Sequence, residues 1–154
     1  MSVYYRYSKY MVRSVDHIFK NLLGDENIQE VYETQASEND PQVAVEIKGA
    51  IEGEILINFP VKTLNLLTKK FLNTSSAKSL RKNYPDVAGE IANLITGTFA
   101  NQLQYLNFDI RLSPPEYNED PLAIKALYDN VNLSFLSKYG GFDIDLYYRE
   151  PESS

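Results

Sequence analysis

The sequence predicts an α+β fold, in which an antiparallel or mixed β-sheet is covered on one face by long α-helices. Strand-like alternation occurs in two runs, one before residue 60 and one after residue 107, and helical periodicity fills the start and the middle of the chain. Strands and helices that are grouped in this way favour α+β over a regularly alternating α/β fold. The 154 residues suit one domain, which we expect to span residues 1–150, with a frayed tail at residues 151–154.

The first half of the sequence predicts a helix, three strands and a second helix. Apolar residues recur at steps of three and four in both helical segments, and Gly24 fits the end of the first. Apolar and polar residues alternate in the strand segments, and Pro60 ends the third strand. In chain order the predicted elements are helix Tyr4–Leu23, strands Ile28–Thr34, Val43–Gly49 and Glu54–Phe59, and helix Val61–Leu72.

The second half predicts one long helix followed by three strands. Pro85 and Asp86 stand at the start of this helix, where a proline and an acidic residue are both favoured. Gly140 and Gly141 predict the turn between the last two strands. In chain order the predicted elements are helix Asp86–Leu106, strand Phe108–Leu112, a polar loop Glu116–Asp120, a short helix Pro121–Tyr128, and strands Val131–Leu136 and Phe142–Tyr148.

The composition excludes several classes of site. The chain has no cysteine and one histidine, so disulfides, thiolate metal sites and a cysteine nucleophile are excluded. A net charge of −6 argues against a nucleic-acid partner. The longest uncharged run, Ile91–Phe108, is interrupted by polar residues, so we expect no membrane-spanning segment. The aromatic and basic start lacks the apolar stretch of a signal peptide, so we expect a cytoplasmic protein.

The predicted helix Asp86–Leu106 has two distinct faces. At about 100° per residue, one face is apolar and should pack on the sheet. Its residues are Ala88, Ile91, Ala92, Ile95, Phe99, Leu103 and Leu106. Polar residues and one glycine lie opposite, three or four residues apart, so that they stack on successive turns. This polar stripe consists of Asp86, Glu90, Asn93, Gly97, Asn101 and Gln104.

The polar stripe is either an ordinary solvated helix face or a docking surface. A solvated face usually carries Glu–Lys pairs, whereas no Lys or Arg occurs between Lys82 and Arg111. Asn and Gly cost a helix up to about 1 kcal/mol each relative to Ala. A glycine on the outer face also lets another surface approach the backbone closely. The composition therefore favours docking, with Glu90 and Asn93 at its centre.

Glu90 and Asn93 leave the same face of the helix within one turn. A carboxylate can pair with a cation of a partner, and a carboxamide can hold a water while it contacts a nearby oxygen. Neither group is a good nucleophile, and no basic residue stands beside them to bind phosphate. Any reaction here would need a partner that brings the electrophile and the metal, while this chain supplies in trans a residue that orients the attacking water.

The residues Asp86-Val-Ala-Gly-Glu90-Ile-Ala-Asn93 resemble the signature of the CheC/CheX/FliY phosphatases. That signature is an Asp or Ser, a Glu four residues on, an Asn three further, and a proline some twenty-odd residues later. Here Pro115 follows Asn93 by 22 residues, about one fewer than in the family. The order of elements agrees along nearly the whole chain. CheC-type proteins carry two signature helices, whereas Val61–Asn73 has no Glu-x-x-Asn, so the single copy resembles CheX.

The resemblance implies a phosphatase that acts on the aspartyl phosphate of a CheY-like response regulator. By this resemblance, Asn93 would enter the active site of the regulator and position the hydrolytic water, and Glu90 would pair with the regulator's active-site lysine. Mg²⁺ would belong to the regulator, so this chain would bind no metal or cofactor. The resemblance also implies a homodimer. The docking contact would be completed by the rest of the polar stripe, namely Asp86, Gly97, Asn101 and Gln104.

The alternative function is a non-catalytic adaptor that binds a response regulator or a flagellar-switch component through the same helix. Retention of both Glu90 and Asn93 favours the enzyme.

Three other features each allow two interpretations. His17 is either a structural or surface histidine, as we favour, or a functional one. Asp143 and Asp145 share one face of the last strand, and they form either a paired carboxylate site or, as we favour, a solvent-facing sheet edge protected by charge. The last feature is a basic cluster. It is either a solvated helix end or a charged surface that attracts an acidic regulator. Its residues are Lys69, Lys70, Lys78, Arg81 and Lys82.

Overall fold

The computed structural model describes residues 3–73, 80–119 and 128–150 of the chain. The α-helices in these residues are α1 (Val3–Asn21), α2 (Val61–Leu72) and α3 (Tyr84–Gln104), and a 3-10 turn leads into α3. Each of these helices begins and ends within two residues of its predicted bounds. The predicted helix Pro121–Tyr128, except for Tyr128, and the predicted tail at residues 151–154 lie outside the described residues.

Seven strands of the described chain form one antiparallel sheet, in the order β1-β6-β7-β3-β2-β4, and β5 pairs with β2 further along the same edge. The long strands β6, β7, β3 and β2 lie together in the middle of the sheet, and the three-residue strands lie at its edges. The strands are β1 (Gln29–Val31), β2 (Gln42–Gly49), β3 (Glu52–Asn58), β4 (Ile110–Leu112), β5 (Glu116–Asn118), β6 (Asp129–Ser137) and β7 (Gly140–Arg149).

The helices cover one face of this sheet, as predicted for an α+β fold. Alternate residues along the central strands are buried, because successive side chains of a strand point to opposite faces. On β2, β3 and β7 these residues are Val43, Val45, Ile47, Ile55, Ile57, Phe142, Ile144 and Leu146. Apolar residues of the helices belong to the same core, among them Tyr7, Met11, Val15, Leu64, Ile91, Ile95 and Phe99. The predicted apolar face of α3 is therefore its buried face.

The predicted solvent-facing edge at Asp143 and Asp145 is wrong, because β7 lies between β6 and β3. Asp143 is buried, and its carboxylate accepts backbone N–H groups of Gln35 at 3.0 Å and Ala36 at 2.8 Å. Asp145 accepts a hydrogen bond of 3.0 Å from the side chain of Asn58. The acids thus lie on the face opposite the helices, where Asp143 anchors the connection between β1 and β2.

Two further predictions near α3 are wrong. Glu116–Asn118 is a strand instead of a loop, because pairing with β2 resumes after Pro114 and Pro115. In the sequence, these two prolines indicate the end of a strand. Proline is tolerated in an edge strand because its missing N–H faces away from the ladder. Leu106 is 40% exposed, since α3 ends two residues earlier and the chain turns away through Asn107 in the left-handed conformation.

Candidate functional site

The structure places the whole polar stripe on the open face of α3. Five of its six members have exposed polar side chains. Gly97 is half-buried, and a Cβ atom added to it would meet nothing within 4 Å. The stripe is therefore accessible along its length, and the backbone at Gly97 is open to close approach by another surface. The exposed members are Asp86, Glu90, Asn93, Asn101 and Gln104.

Glu90 and Asn93 have no partner within the described chain. Neither side chain makes a hydrogen bond or an ion pair with a residue that the structure describes. An exposed carboxylate and an exposed carboxamide, one turn apart, thus keep their full hydrogen-bonding capacity. Chemically, the pair can bind a cation and orient a water or an oxygen on a molecule that docks against α3.

Side-chain hydrogen bonds hold both ends of α3 against its neighbours. Near the C-terminal end, Gln102 Nε2 donates to the Tyr10 carbonyl at 2.8 Å and to Ser14 Oγ at 2.7 Å, both on α1. At the N-terminal end, the Tyr84 hydroxyl donates to Asn65 Oδ1 on α2 at 2.9 Å. Together with the buried apolar face, these bonds fix the rotation of α3 about its axis. The polar stripe is therefore presented on a rigid element.

The segment between β4 and β5 forms a bulge that packs against α3. Leu112 pairs with Ile47 and Glu116 with Ala44, so three residues of the edge strand lie opposite two of β2. Ser113 secures this bulge, since its N–H donates to the Glu46 carbonyl at 3.0 Å and its Oγ accepts the Glu46 N–H at 2.8 Å.

The bulge brings Pro115 against α3 at Gly89, beside Glu90. A Cβ atom added to Gly89 would lie 3.4 Å from Pro115 Cγ, so the glycine permits this close packing. The downstream proline thus contacts the helix that carries Glu90 and Asn93. The sequence does not predict this contact, because the interval of 22 residues gives no indication of which residue the proline meets. The one indication of this contact in the sequence is a glycine on the side of a long helix.

The remaining candidates that the structure describes lie on other elements, and Lys78 of the basic cluster lies outside the described residues. His17 is an exposed surface residue, as predicted, and its Nδ1 lies 3.0 Å from Asn21 Nδ2. No group of three or more potential metal ligands occurs among residues 3–73, 80–119 and 128–150. Within the same ranges, no helix is long and apolar enough to span a bilayer.

The family model described as chemotaxis phosphatase CheX matches residues 41–130, which is more than half of the chain. The chain belongs to the CheX family. A comparison with the curated proteins finds no match. The match to the CheX model includes α3, the polar stripe and the bulge at Pro115.

Solved structures share the fold of this CheX-family chain. A chain of the CheX-CheY-BeF3-Mg²⁺ complex from Borrelia burgdorferi is 18% identical, with a TM-score of 0.79 over 94% of this chain and 98% of that chain. CheX from Vibrio vulnificus is also 18% identical, with a TM-score of 0.79 over 97% of this chain and 100% of that chain. FliY from Thermotoga maritima is 18% identical, with a TM-score of 0.60 over 92% of this chain and 84% of that chain.

Proposed function

We propose that this chain hydrolyses the aspartyl phosphate of a CheY-like response regulator. Membership in a family of chemotaxis phosphatases supports the reaction class. A structurally similar chain comes from a complex of CheX with CheY, BeF3 and Mg²⁺, and it supports a CheY-like partner. The observation that carries the proposal is the exposed, unpartnered pair Glu90 and Asn93 on the rigid face of α3.

In the proposed reaction, α3 docks over the phosphorylated aspartate of the regulator. The Asn93 carboxamide accepts a hydrogen bond from the attacking water and thereby orients it in line with the phosphorus. The water oxygen bonds to phosphorus, the bond between phosphorus and the aspartyl oxygen breaks, and the aspartate leaves as a carboxylate with the electron pair of that bond. One water proton stays on the attacking oxygen and the other passes to a second oxygen of the phosphate. The products are the free aspartate and inorganic phosphate.

Glu90 acts in binding rather than in bond cleavage. Its carboxylate pairs with the active-site lysine of the regulator and so sets the position of Asn93 over the phosphoryl group. The Mg²⁺ ion is held by the regulator. The other members of the polar stripe extend this contact along α3, and they are Asp86, Gly97, Asn101 and Gln104.

The test follows the decay of a phosphorylated CheY-like regulator with and without this protein. Wild type should accelerate the decay, and Asn93→Ala should reduce the acceleration by about 100-fold or more, as expected for loss of one group that orients the reacting atoms. Asn93→Ala should retain or slightly raise the melting temperature, since Ala favours the helix more than Asn. Loss of activity then cannot be ascribed to unfolding.

Asn27→Ala serves as the matched control, because Asn27 is an exposed asparagine outside α3. It should accelerate the decay as wild type does. If Asn93→Ala retains the full acceleration, the proposed role of Asn93 is wrong. If wild type binds the regulator without accelerating the decay, the chain is an adaptor and not a phosphatase.

A further inference from the structure

A second candidate site lies beside the start of α3. A cavity of about 340 Å³ opens between the 3-10 turn before α3, the end of β5 and the start of α2. Pro41 and Val61 supply apolar wall, and the rings of Tyr84 and Tyr117 line the cavity together with charged residues. These charged residues are Arg81 and Glu119.

Tyr117 carries a hydroxyl group that the fold leaves unsatisfied. Its oxygen is shielded from water and has no hydrogen-bond partner among the described residues. An unpaired buried hydroxyl costs free energy, which a ligand oxygen would recover by accepting its hydrogen bond. Burial, followed by the charge of Glu119, raises the pKa of Tyr117, so the hydroxyl keeps its proton and remains a donor. The Tyr84 hydroxyl differs, because its proton is donated to Asn65.

Arg81 supplies a positive charge at the same cavity. Its side chain is exposed and forms no ion pair with the residues that the structure describes. The charge of Arg81 lowers the pKa of the Tyr117 hydroxyl, although burial raises that pKa by more. A guanidinium group and a neutral O–H group that line one cavity form a donor set for an anion. A planar carboxylate can accept from both, one oxygen to each donor or two to the guanidinium.

Glu119 restricts the charge of that anion. Its carboxylate lines the same cavity, and it raises the pKa of Tyr117, so its field also reaches the hydroxyl. A doubly charged phosphate would be repelled more strongly than a singly charged carboxylate. The apolar wall at Pro41 and Val61 likewise suits the methylene groups of an acidic side chain. The lining therefore favours a carboxylate at the end of a short aliphatic side chain.

We propose that this cavity receives an acidic side chain of the response regulator that docks on α3. The inference rests on the proposed function. The cavity lies at the N-terminal end of the helix that carries the polar stripe: Tyr84 lines the cavity from the first turn of α3, and Asp86, the first member of the stripe, follows two residues later. On the other side, Pro115 packs on Gly89, and Tyr117 follows two residues later.

The size of a specific interface supports this occupant. Stable protein interfaces take about 20–30 residues from each partner, whereas the polar stripe has six. A regulator seated on the stripe must therefore contact the flanks of α3. The stripe is acidic at Asp86 and Glu90, whereas Arg81 offers the opposite charge next to it. Charges of opposite sign on neighbouring elements help to fix the orientation of a partner.

The test measures binding of the BeF3-activated regulator, and the KM for the phosphorylated regulator, with three variants of the full chain. Arg81→Gln should weaken binding about tenfold or more and raise KM correspondingly. Tyr117→Phe should weaken binding about threefold or more, while its melting temperature equals or exceeds that of wild type because an unpaired hydroxyl is removed. Lys82→Gln is the matched control, since Lys82 is an exposed neighbouring cation that does not line the cavity, and it should change binding less than twofold.

The proposal is overturned if Arg81→Gln and Lys82→Gln weaken binding equally, because the effect would then be one of general charge. It is also overturned if Tyr117→Phe binds the regulator as wild type does. Acetate and succinate are tested separately as free carboxylates. If they bind in the cavity while the affinity for the regulator does not depend on Arg81, the cavity binds free carboxylates instead. If wild type accelerates the decay and all three variants keep its KM, only this inference fails. If wild type neither binds nor accelerates decay, the proposed function itself fails.

Discussion

At the scale of single residues, the polar stripe and the acids of β7 show opposite uses of polar side chains. Asn93 and Glu90 are exposed and unpartnered within the described chain, and an asparagine costs a helix stability relative to alanine. Asp143, by contrast, is buried and satisfied by two backbone N–H groups. The buried acid that stabilises the fold is paired inside it, whereas the two groups proposed to contact a partner have no partner within the described chain.

Asp145 should make stability depend on pH. Burial, and then the charge of Asp143, raises the pKa of Asp145 from 3.8 to about 6. A raised carboxyl pKa means that the ionised form destabilises the fold: the cost is complete above about pH 6 and disappears below the unfolded pKa near 4. Asp145→Asn should therefore raise the free energy of unfolding at pH 7 by about 1–3 kcal/mol, with no gain at pH 4. Denaturant unfolding at both pH values measures this.

The matched variant Asp143→Asn should act in the opposite direction. It replaces a carboxylate that accepts two backbone N–H groups, so the fold loses acceptor capacity and becomes less stable at pH 7. If Asp145→Asn is instead destabilising at pH 7, the ionised carboxylate is not a net cost to the fold.

At the scale of elements, the bulge at Ser113–Pro115 connects the sheet to the signature helix. An extra residue in one strand bends the strand and redirects its side chains. Here it directs Pro115 onto Gly89, one residue before Glu90. The proposed docking surface therefore has two sides, one formed by the helix and the other by the bulge at the edge of the sheet.

Gly89 and Gly97 should respond differently to the same substitution. Gly89→Leu should lower the free energy of unfolding by about 1–3 kcal/mol, because the added side chain must displace Pro115. Gly97→Leu should leave it unchanged or raise it, since nothing lies within 4 Å of the added Cβ and Leu favours a helix more than Gly. Chemical denaturation of both variants makes the comparison. Equal losses at the two positions would show that Pro115 does not constrain Gly89.

The elements also show where sequence patterns are sufficient. The helices were predicted within two residues of their bounds, because each carries a long apolar stripe. Strand β5 was missed because its three residues are too few to show alternation and follow two prolines. The burial of Asp143 was also missed, since an alternating strand looks alike at the edge and in the centre of a sheet.

At the scale of the whole molecule, the described chain is one antiparallel sheet with its helices packed on one face. The central strands β7 and β3 each have two paired neighbours, whereas β1 and β4 each have one free edge. Aromatic side chains reinforce the centre, where Phe142 stacks on Phe19 of α1 and on Phe135 of β6. The most persistent part of the fold should therefore be the centre of the sheet. The homodimer implied by the family resemblance stays a prediction.

Hydrogen exchange should reveal this gradient. Backbone amides of β3 and β7 should exchange most slowly, near the rate of global unfolding, because their hydrogen bonds lie between two neighbouring strands. Amides of β1 and β4 should exchange at least tenfold faster through local opening. Measurement by NMR or mass spectrometry of the intact chain tests the order. Equal protection of edge and central strands would contradict it.

The sequence by itself determined the class of fold, the helices, the polar stripe and the residues Glu90 and Asn93. These features are local, because helical periodicity and the spacing of a signature within one helix are set by neighbours along the chain. Only the tertiary structure decided the strand order, the anchoring of Asp143, the contact of Pro115 with Gly89, and the cavity at Arg81 and Tyr117. Each of these joins residues far apart in sequence, and such contacts depend on how the sheet and helices pack together.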